Sequence, residues 1–375
     1  MMANKRIKKL NLETVAYIVC MLIIFLLVPF ILNFDGYELN VFARYLTLGI
    51  LAIALSLSWG TAGVLNLGQA ATFGLGAYAM AMHLKLKASV NNAGGMPDFM
   101  GWNNVEVLPL LWKPFSSLGF TLLAGIVIPA AFAGLLAIFM FRGRISGVFV
   151  AIITLAFMMA LNLLVIDQQS LTGGQNGISG LAQLEILGWR VDTYSTAFYY
   201  LIASCLAFAL LVGLALTKSK FGLILRAIKE DPHRVRFFGY DVAAFETTTF
   251  CFSAAIAGFA GMLYVVVLQF ASPTYMDVSF SLAIVIWCAV GGRESILASA
   301  MGAIIVSILE GQLSDYFVNG WNLILGFIFI ITVIALPGGL YGLIKHSSKY
   351  FPNRKLNLDN MKIQEQQKGS NHDAS

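Results

Sequence analysis

Leu118-Gly119-Phe120-Thr121-Leu122-Leu123-Ala124-Gly125-Ile126-Val127-Ile128-Pro129-Ala130-Ala131-Phe132-Ala133-Gly134-Leu135-Leu136-Ala137-Ile138-Phe139-Met140 is unbroken by any charged side chain. A helix needs about 20 predominantly apolar residues to cross the hydrocarbon of a bilayer, and this stretch meets that length. It is apolar all round, so as a helix it has no polar face to offer water. Its flanks change character at once, to Trp112-Lys113-Pro114 on one side and Arg142-Gly143-Arg144 on the other. The rest of the chain repeats the pattern. Over 375 residues 58% are hydrophobic and 11% charged, and the mean hydropathy is +0.79. Soluble domains carry roughly 25% charged residues, so lipid must be the solvent for much of this surface.

Ten stretches qualify as spans: 15–34, 39–58, 62–83, 118–140, 145–166, 197–217, 245–269, 278–291, 296–313 and 321–340. The third is rich in Gly and polar residues, and the eighth is short enough to be re-entrant. Lys5-Arg6-Ile7-Lys8-Lys9 ahead of the first span has the look of a signal peptide. The apolar run to Leu32 is long for one, however, and no small-x-small site precedes Asp35, so an uncleaved first span is expected. Charge gives an independent check. Of the 24 lysines and arginines, only Lys85, Lys87, Lys113, Arg190 and Arg44 fall on the outer side if the N-terminus is inside. Basic residues concentrate on the cytoplasmic side of membrane proteins, so ten spans with both termini cytoplasmic is the consistent solution. The expected fold is an all-α polytopic membrane protein. Residues 1–14 form a basic cytoplasmic N-terminus, 15–343 the transmembrane domain and 344–375 a polar cytoplasmic tail. Five spans, a long outer loop and five more spans raise the expectation of an inverted repeat.

Several function classes drop out. The net charge of +5 is small and its basic residues lie between apolar runs, which argues topology and not nucleic-acid binding. Cys20, Cys205, Cys251 and Cys288 sit inside apolar runs without a C-x-x-C partner, so neither a disulfide framework nor a metal site is expected. The dipeptide Gly-Lys does not occur, which excludes a Walker-type nucleotide site in this chain; H-E-x-x-H and G-x-S-x-G are also missing. No catalytic residue is expected.

Two outer loops, 84–117 and 167–196, and one cytoplasmic segment, 218–244, are long enough to carry function. In the segment, Leu225 and Ile228 can form one face of a short helix beside Arg226 and Lys229. Asp231 suits an N-cap, Pro232 the first position of a second helix, and Gly239 its end. Two short amphipathic helices could dock into a partner's groove and transmit its motion. A basic loop that only fixes topology reads equally well.

The same segment resembles a known family. Ser219-Lys220-Phe221-Gly222, Leu225-Arg226-Ala227-Ile228-Lys229 and Phe238-Gly239-Tyr240 are similar to the cytoplasmic coupling region of permeases in the branched-chain amino acid and urea ABC-importer family. Further stretches agree in order: Ala62-Gly63 and Phe73-Gly74-Leu75-Gly76-Ala77-Tyr78, Leu171-Thr172-Gly173-Gly174 with Gly177, and Ile286-Trp287-Cys288-Ala289-Val290-Gly291-Gly292-Arg293. Met96-Pro97-Asp98-Phe99-Met100, Leu108-Pro109 and Trp112-Lys113-Pro114 resemble the outer loop of the urea branch's C-type permease. Asn66 and Gln69 stand where the family commonly has Ser and His, and Ala298-Ser299 replaces a usual Gly-Pro. The resemblance implies a permease without its own nucleotide site. Its partners would be a homologous second permease, two cytoplasmic ATPases that bind ATP and Mg, and a periplasmic or tethered solute-binding protein. The implied solute is urea, with branched-chain amino acids or another small amide as the alternative and a secondary transporter as the remote one. Phe221, Gly222, Leu225, Arg226, Ile228, Lys229, Arg234, Phe238 and Gly239 are then the ATPase-coupling candidates.

A neutral amide wants uncharged donors and acceptors along its path. Asn66, Gln69, Asn162, Gln269 and Gln312 supply them, with interhelical hydrogen bonding as the competing explanation. Glu310 is the deepest carboxylate and so a functional candidate, while Arg44 is expected to snorkel. No deep cation is expected to pair with Glu310. Thr172-Gly173-Gly174 reads as an outer gate, a docking surface or a plain loop.

Overall fold

The computed structural model describes residues 14–316 apart from 92–94 and 187, together with 320, 323–324, 326–327, 330 and 338–342. Seven of its helices are long and apolar enough to cross a membrane. They are α1 (Thr14–Ile31), α2 (Gly36–Thr61), α4 (Leu118–Arg142), α5 (Val148–Asp167), α6 (Thr196–Lys218), α9 (Val242–Leu268) and α11 (Ile296–Tyr316). Between them lie α3 (Gln69–Ala88), two short helices α7 (Lys220–Glu230) and α8 (Pro232–Phe237), and the shorter apolar α10 (Val278–Gly291). Helices suit lipid because each satisfies its own backbone hydrogen bonds.

The expectation of ten spans is met only in part. Seven stand as such, and α3, α10 and residues 321–340 account for the other three. Most of 321–340 lies outside the described residues, as do the basic N-terminal cluster and the polar tail. The expected third span, 62–83, is corrected. Helix α2 ends in a π turn, Ser56–Thr61, residues 62–68 are not helical, and α3 begins at Gln69 and runs on to Ala88. The outer loop expected from residue 84 therefore starts five residues later. The all-α expectation also needs amending, because the second long loop folds into an antiparallel pair, β1 (Leu184–Ile186) and β2 (Trp189–Val191).

Helix α9 is the hub, packed against α2, α3 and α4, while α2 also packs on α6 and α11. Small residues permit these close crossings. A Cβ on Gly76 of α3 would fall inside the Gly258 carbonyl of α9, and one on Gly258 would strike the Gly125 carbonyl of α4. In lipid, where exclusion of water no longer drives helices together, such backbone proximity and its dispersion contacts supply the association. Most of α2 is buried, whereas α1 is largely peripheral.

Candidate coupling and translocation site

Helix α6 stops at Lys218, and the chain turns through Ser219 into α7. Ser219 Oγ accepts from the Gly222 amide at 3.3 Å and caps the new helix. The corner admits nothing larger than glycine at 222, because a Cβ there would meet the Thr217 and Leu216 carbonyls. Arg226 reaches back across it, donating from Nη2 to the Thr217 carbonyl at 2.7 Å and from Nε to that of Gly222 at 3.2 Å. Its cation thus sits on the carbonyl end of α6, where the helix dipole favours positive charge.

One side of α7 is anchored. Leu225 and Ile228 are buried in a small cluster with Ala62, Val235 and Val242, and the Phe221 ring stacks on Phe245 at 5.4 Å. Helix α8 then starts at Asp231, whose carboxylate accepts from the backbone amides of His233 and Arg234, with Pro232 in the first turn. Those bonds, the one from Arg234 foremost, hold the Asp231 carboxyl below its usual range. Arg234 also pairs with it at 2.8 Å, an exposed ion pair of the kind that adds little stability. Gly239 follows with φ +86° and ends the element. The opposite side of the segment is bare. Phe237 and Phe238 are 91% and 77% exposed, and Phe238 borders a groove of about 330 Å³ with Ile224, Ala227, Glu230 and Val235.

Behind α7 lies the helix break. Lys229 Nζ donates to the Gly60 carbonyl in the π turn at 3.0 Å. Just past it, Asn66 and Gln69 meet: Asn66 Nδ2 donates to Gln69 Oε1 at 2.8 Å, and Asn66 Oδ1 accepts from the Gly68 amide at 2.9 Å. Gln69 Nε2 donates to the Ser253 carbonyl and its Oε1 accepts from Ser253 Oγ, both at 3.2 Å. Leu67 is held from two sides, its amide by Thr154 Oγ1 at 3.2 Å and its carbonyl by Ser281 Oγ. Gln69 is fully buried, so this neutral network ties the break to α5, α9 and α10.

The other path candidates lie apart from that pair. Asn162 Nδ2 donates to Asp277 Oδ1 at 2.5 Å ahead of α10, while Asn162 Oδ1 is buried without a hydrogen-bond partner among the described residues. Gln269 ends α9 in the left-handed region at φ +53° and donates back to the Val266 carbonyl. Gln312 is exposed. Glu310 on α11 is half-buried, and it and Arg44 both act electrostatically on the Tyr264 hydroxyl. Arg44 lies over the Tyr45 ring, 5.3 Å from its centroid. Arg44 on α2 and Glu310 on α11 thus share Tyr264 as a neighbour.

At the other end of α5, Thr172 Oγ1 donates to the carbonyls of Val165 and Gln168 and accepts from the Gly174 amide. Gly173 and Gly174 take φ of +80° and +58°. This strap joins the end of α9 through paired Ile178 and Ala271 backbones. Lys85, which the sequence offered only as a loop charge, is buried in the last turn of α3. It bonds Asp98 and the Ser179 carbonyl, both at 2.9 Å, stapling the two long loops 89–117 and 168–195 together. Among the described residues no cluster of side chains is arranged to hold a metal.

The sequence pattern of the family described as "Branched-chain amino acid transport system / permease component" matches residues 37–334. The chain belongs to that family. It is 29% identical over 317 residues to the LivM permease protein of high-affinity branched-chain amino acid transport in Salmonella typhimurium, covering 78% of this chain and 67% of that one. The Escherichia coli LivM protein matches over the same shares. A LivH permease protein of Methanocaldococcus jannaschii is 30% identical over 153 residues, 38% of this chain and 47% of its own. The similarity to both LivM and LivH suggests a second permease subunit beside this one. No solved structure matches the chain. Family membership and seven apolar helices make this a multi-pass inner-membrane permease component.

Proposed function

We propose that the chain is one of two permease subunits of an ABC importer and that it carries urea inward. Two cytoplasmic ATPases would bind and hydrolyse ATP with Mg, and a periplasmic or tethered binding protein would deliver solute. The observation that carries the coupling half of this reading is the α7 to α8 segment. Its inner side is anchored by Leu225, Ile228 and Phe221, while Phe237 and Phe238 project unpartnered beside an apolar groove. A rigid base with a bare aromatic tip suits insertion into a partner's cleft, in the manner of an anchor residue at an interface.

In this reading ten spans place both termini and segment 218–244 in the cytoplasm, and residues 167–196 with Thr172, Gly173 and Gly174 face the binding protein. Urea is favoured by the resemblance of outer-loop residues 96–114 to the urea branch. A second reading, branched-chain amino acids, is favoured by what the relatives are named for. It is favoured also by Arg44 and Glu310 near Tyr264, since opposite charges suit a zwitterion. Reconstitution with the partner permease, ATPases and binding protein tests the coupling. Solute uptake that needs ATP supports it, and uptake by this chain alone without ATP restores a secondary transporter.

A further inference from the structure

We propose that Lys229 is the latch through which the coupling helix works the inner vestibule, a positioning residue for translocation; this rests on the inward orientation of α7 proposed above. A cavity of about 370 Å³ lies between α7 and the helix break, its wall including Trp59, Gly63, Ile145, Lys229, Glu246 and Arg293. These residues come from five different parts of the chain, so movement of any one changes its shape. Three contacts concentrate on the π turn Ser56–Thr61. Lys229 donates to its Gly60 carbonyl at 3.0 Å, and Ser56 Oγ donates to the Arg293 carbonyl at 3.0 Å. The Arg293 guanidinium lies 5.0 Å from the Trp59 ring centroid, where a cation is attracted to the ring face.

The latch is tight along its whole stem. Gly63 has φ +80°, and a Cβ there would come within 2.8 Å of Lys229 Cγ. Three residues beyond Gly63 begins the buried Asn66 and Gln69 network, which reaches α5, α9 and α10. A displacement of α7 by a partner thus reaches the break along two routes, the non-directional packing of Leu225 and Ile228 on Ala62 and the directional ammonium-to-carbonyl bond of Lys229 to Gly60. The hydrophobic contacts of Leu225 and Ile228 would hold α7 on the body without it. For that reason loss of the ammonium group is expected to uncouple the protein while leaving it assembled.

The test compares the reconstituted complex carrying Lys229→Met, Lys229→Arg or the native lysine, measuring solute carried per ATP hydrolysed with whichever of labelled urea or leucine the native complex imports. Lys229→Met should keep ATP hydrolysis and lower the ratio at least tenfold, and Lys229→Arg should restore most of it. An unchanged ratio in Lys229→Met overturns the latch while leaving the importer reading intact; absence of ATP-dependent uptake by the native complex would instead sink that reading. Hydrogen exchange on the native complex, which needs no variant to fold, gives a second readout. Protection of residues 61–64 should change between nucleotide-free and ATP-trapped states together with α7, and a change in α7 alone contradicts the proposal.

Discussion

At Gly222 the backbone of the α6 to α7 corner occupies the space that any side chain would need. Gly222→Ala should therefore shift the corner, strain the Arg226 bonds to Thr217 and Gly222, and lower thermal stability in detergent by about 1–3 kcal/mol, the usual cost of overpacking. Unchanged stability would mean that the corner yields freely. Gln69 presents the opposite case, a buried group whose removal orphans others. Gln69→Leu would leave Asn66 Nδ2 without its acceptor and take a donor from the Ser253 carbonyl, with an expected cost of about 1–3 kcal/mol read by the same melt. Asp231 behaves differently because it lies at the surface. Its carboxyl is held below the usual range, so its capping contribution is complete above the ordinary carboxylate value and disappears as pH falls through the lowered folded value. Asp231→Ala should remove that contribution at neutral pH and speed amide exchange at His233 and Arg234; unchanged exchange there would rule out the cap as the start of α8.

The elements show where the sequence was legible and where it was not. Helices α4, α5 and α6 are apolar throughout, so hydropathy located their ends within a few residues. The capping chemistry of α8 was equally readable, since Asp231, Pro232 and Gly239 each impose a local geometry independent of the rest of the fold. Helix α3 was displaced because residues 62–68 are small and apolar enough to pass as a span. The signal against it was Asn66 two residues before Gly68, a side chain able to cap its own turn. The pairings of Lys85 with Asp98 and of Asn66 with Gln69 illustrate two distances. The second is local and could be guessed; the first joins α3 to an outer loop and needs the folded chain. The same holds for Arg44 of α2 and Glu310 of α11, which share Tyr264 as a neighbour only in the folded chain. Helix α8 also yields a prediction of its own. Replacing Phe237 and Phe238 by alanine removes groups that touch little of this chain, so stability should be unchanged while co-purification of the ATPase subunits falls at least tenfold. Retained ATPases would move the docking surface elsewhere.

For the whole molecule, a body packed around α9 carries the α7 and α8 handle at one end and the Lys85 staple and Thr172 strap at the other. Its orientation can be checked directly. A cysteine at Leu110 should react with an impermeant maleimide in intact cells, and one at Phe238 only after the membrane is opened; the reverse pattern would invert the topology. The central claim, ATP-driven import of urea, is tested most directly by following labelled urea into vesicles holding the complete complex and its binding protein, with and without ATP and with excess leucine. Urea uptake that requires ATP and is indifferent to leucine is the expected result. ATP-dependent import of leucine without urea would contradict it.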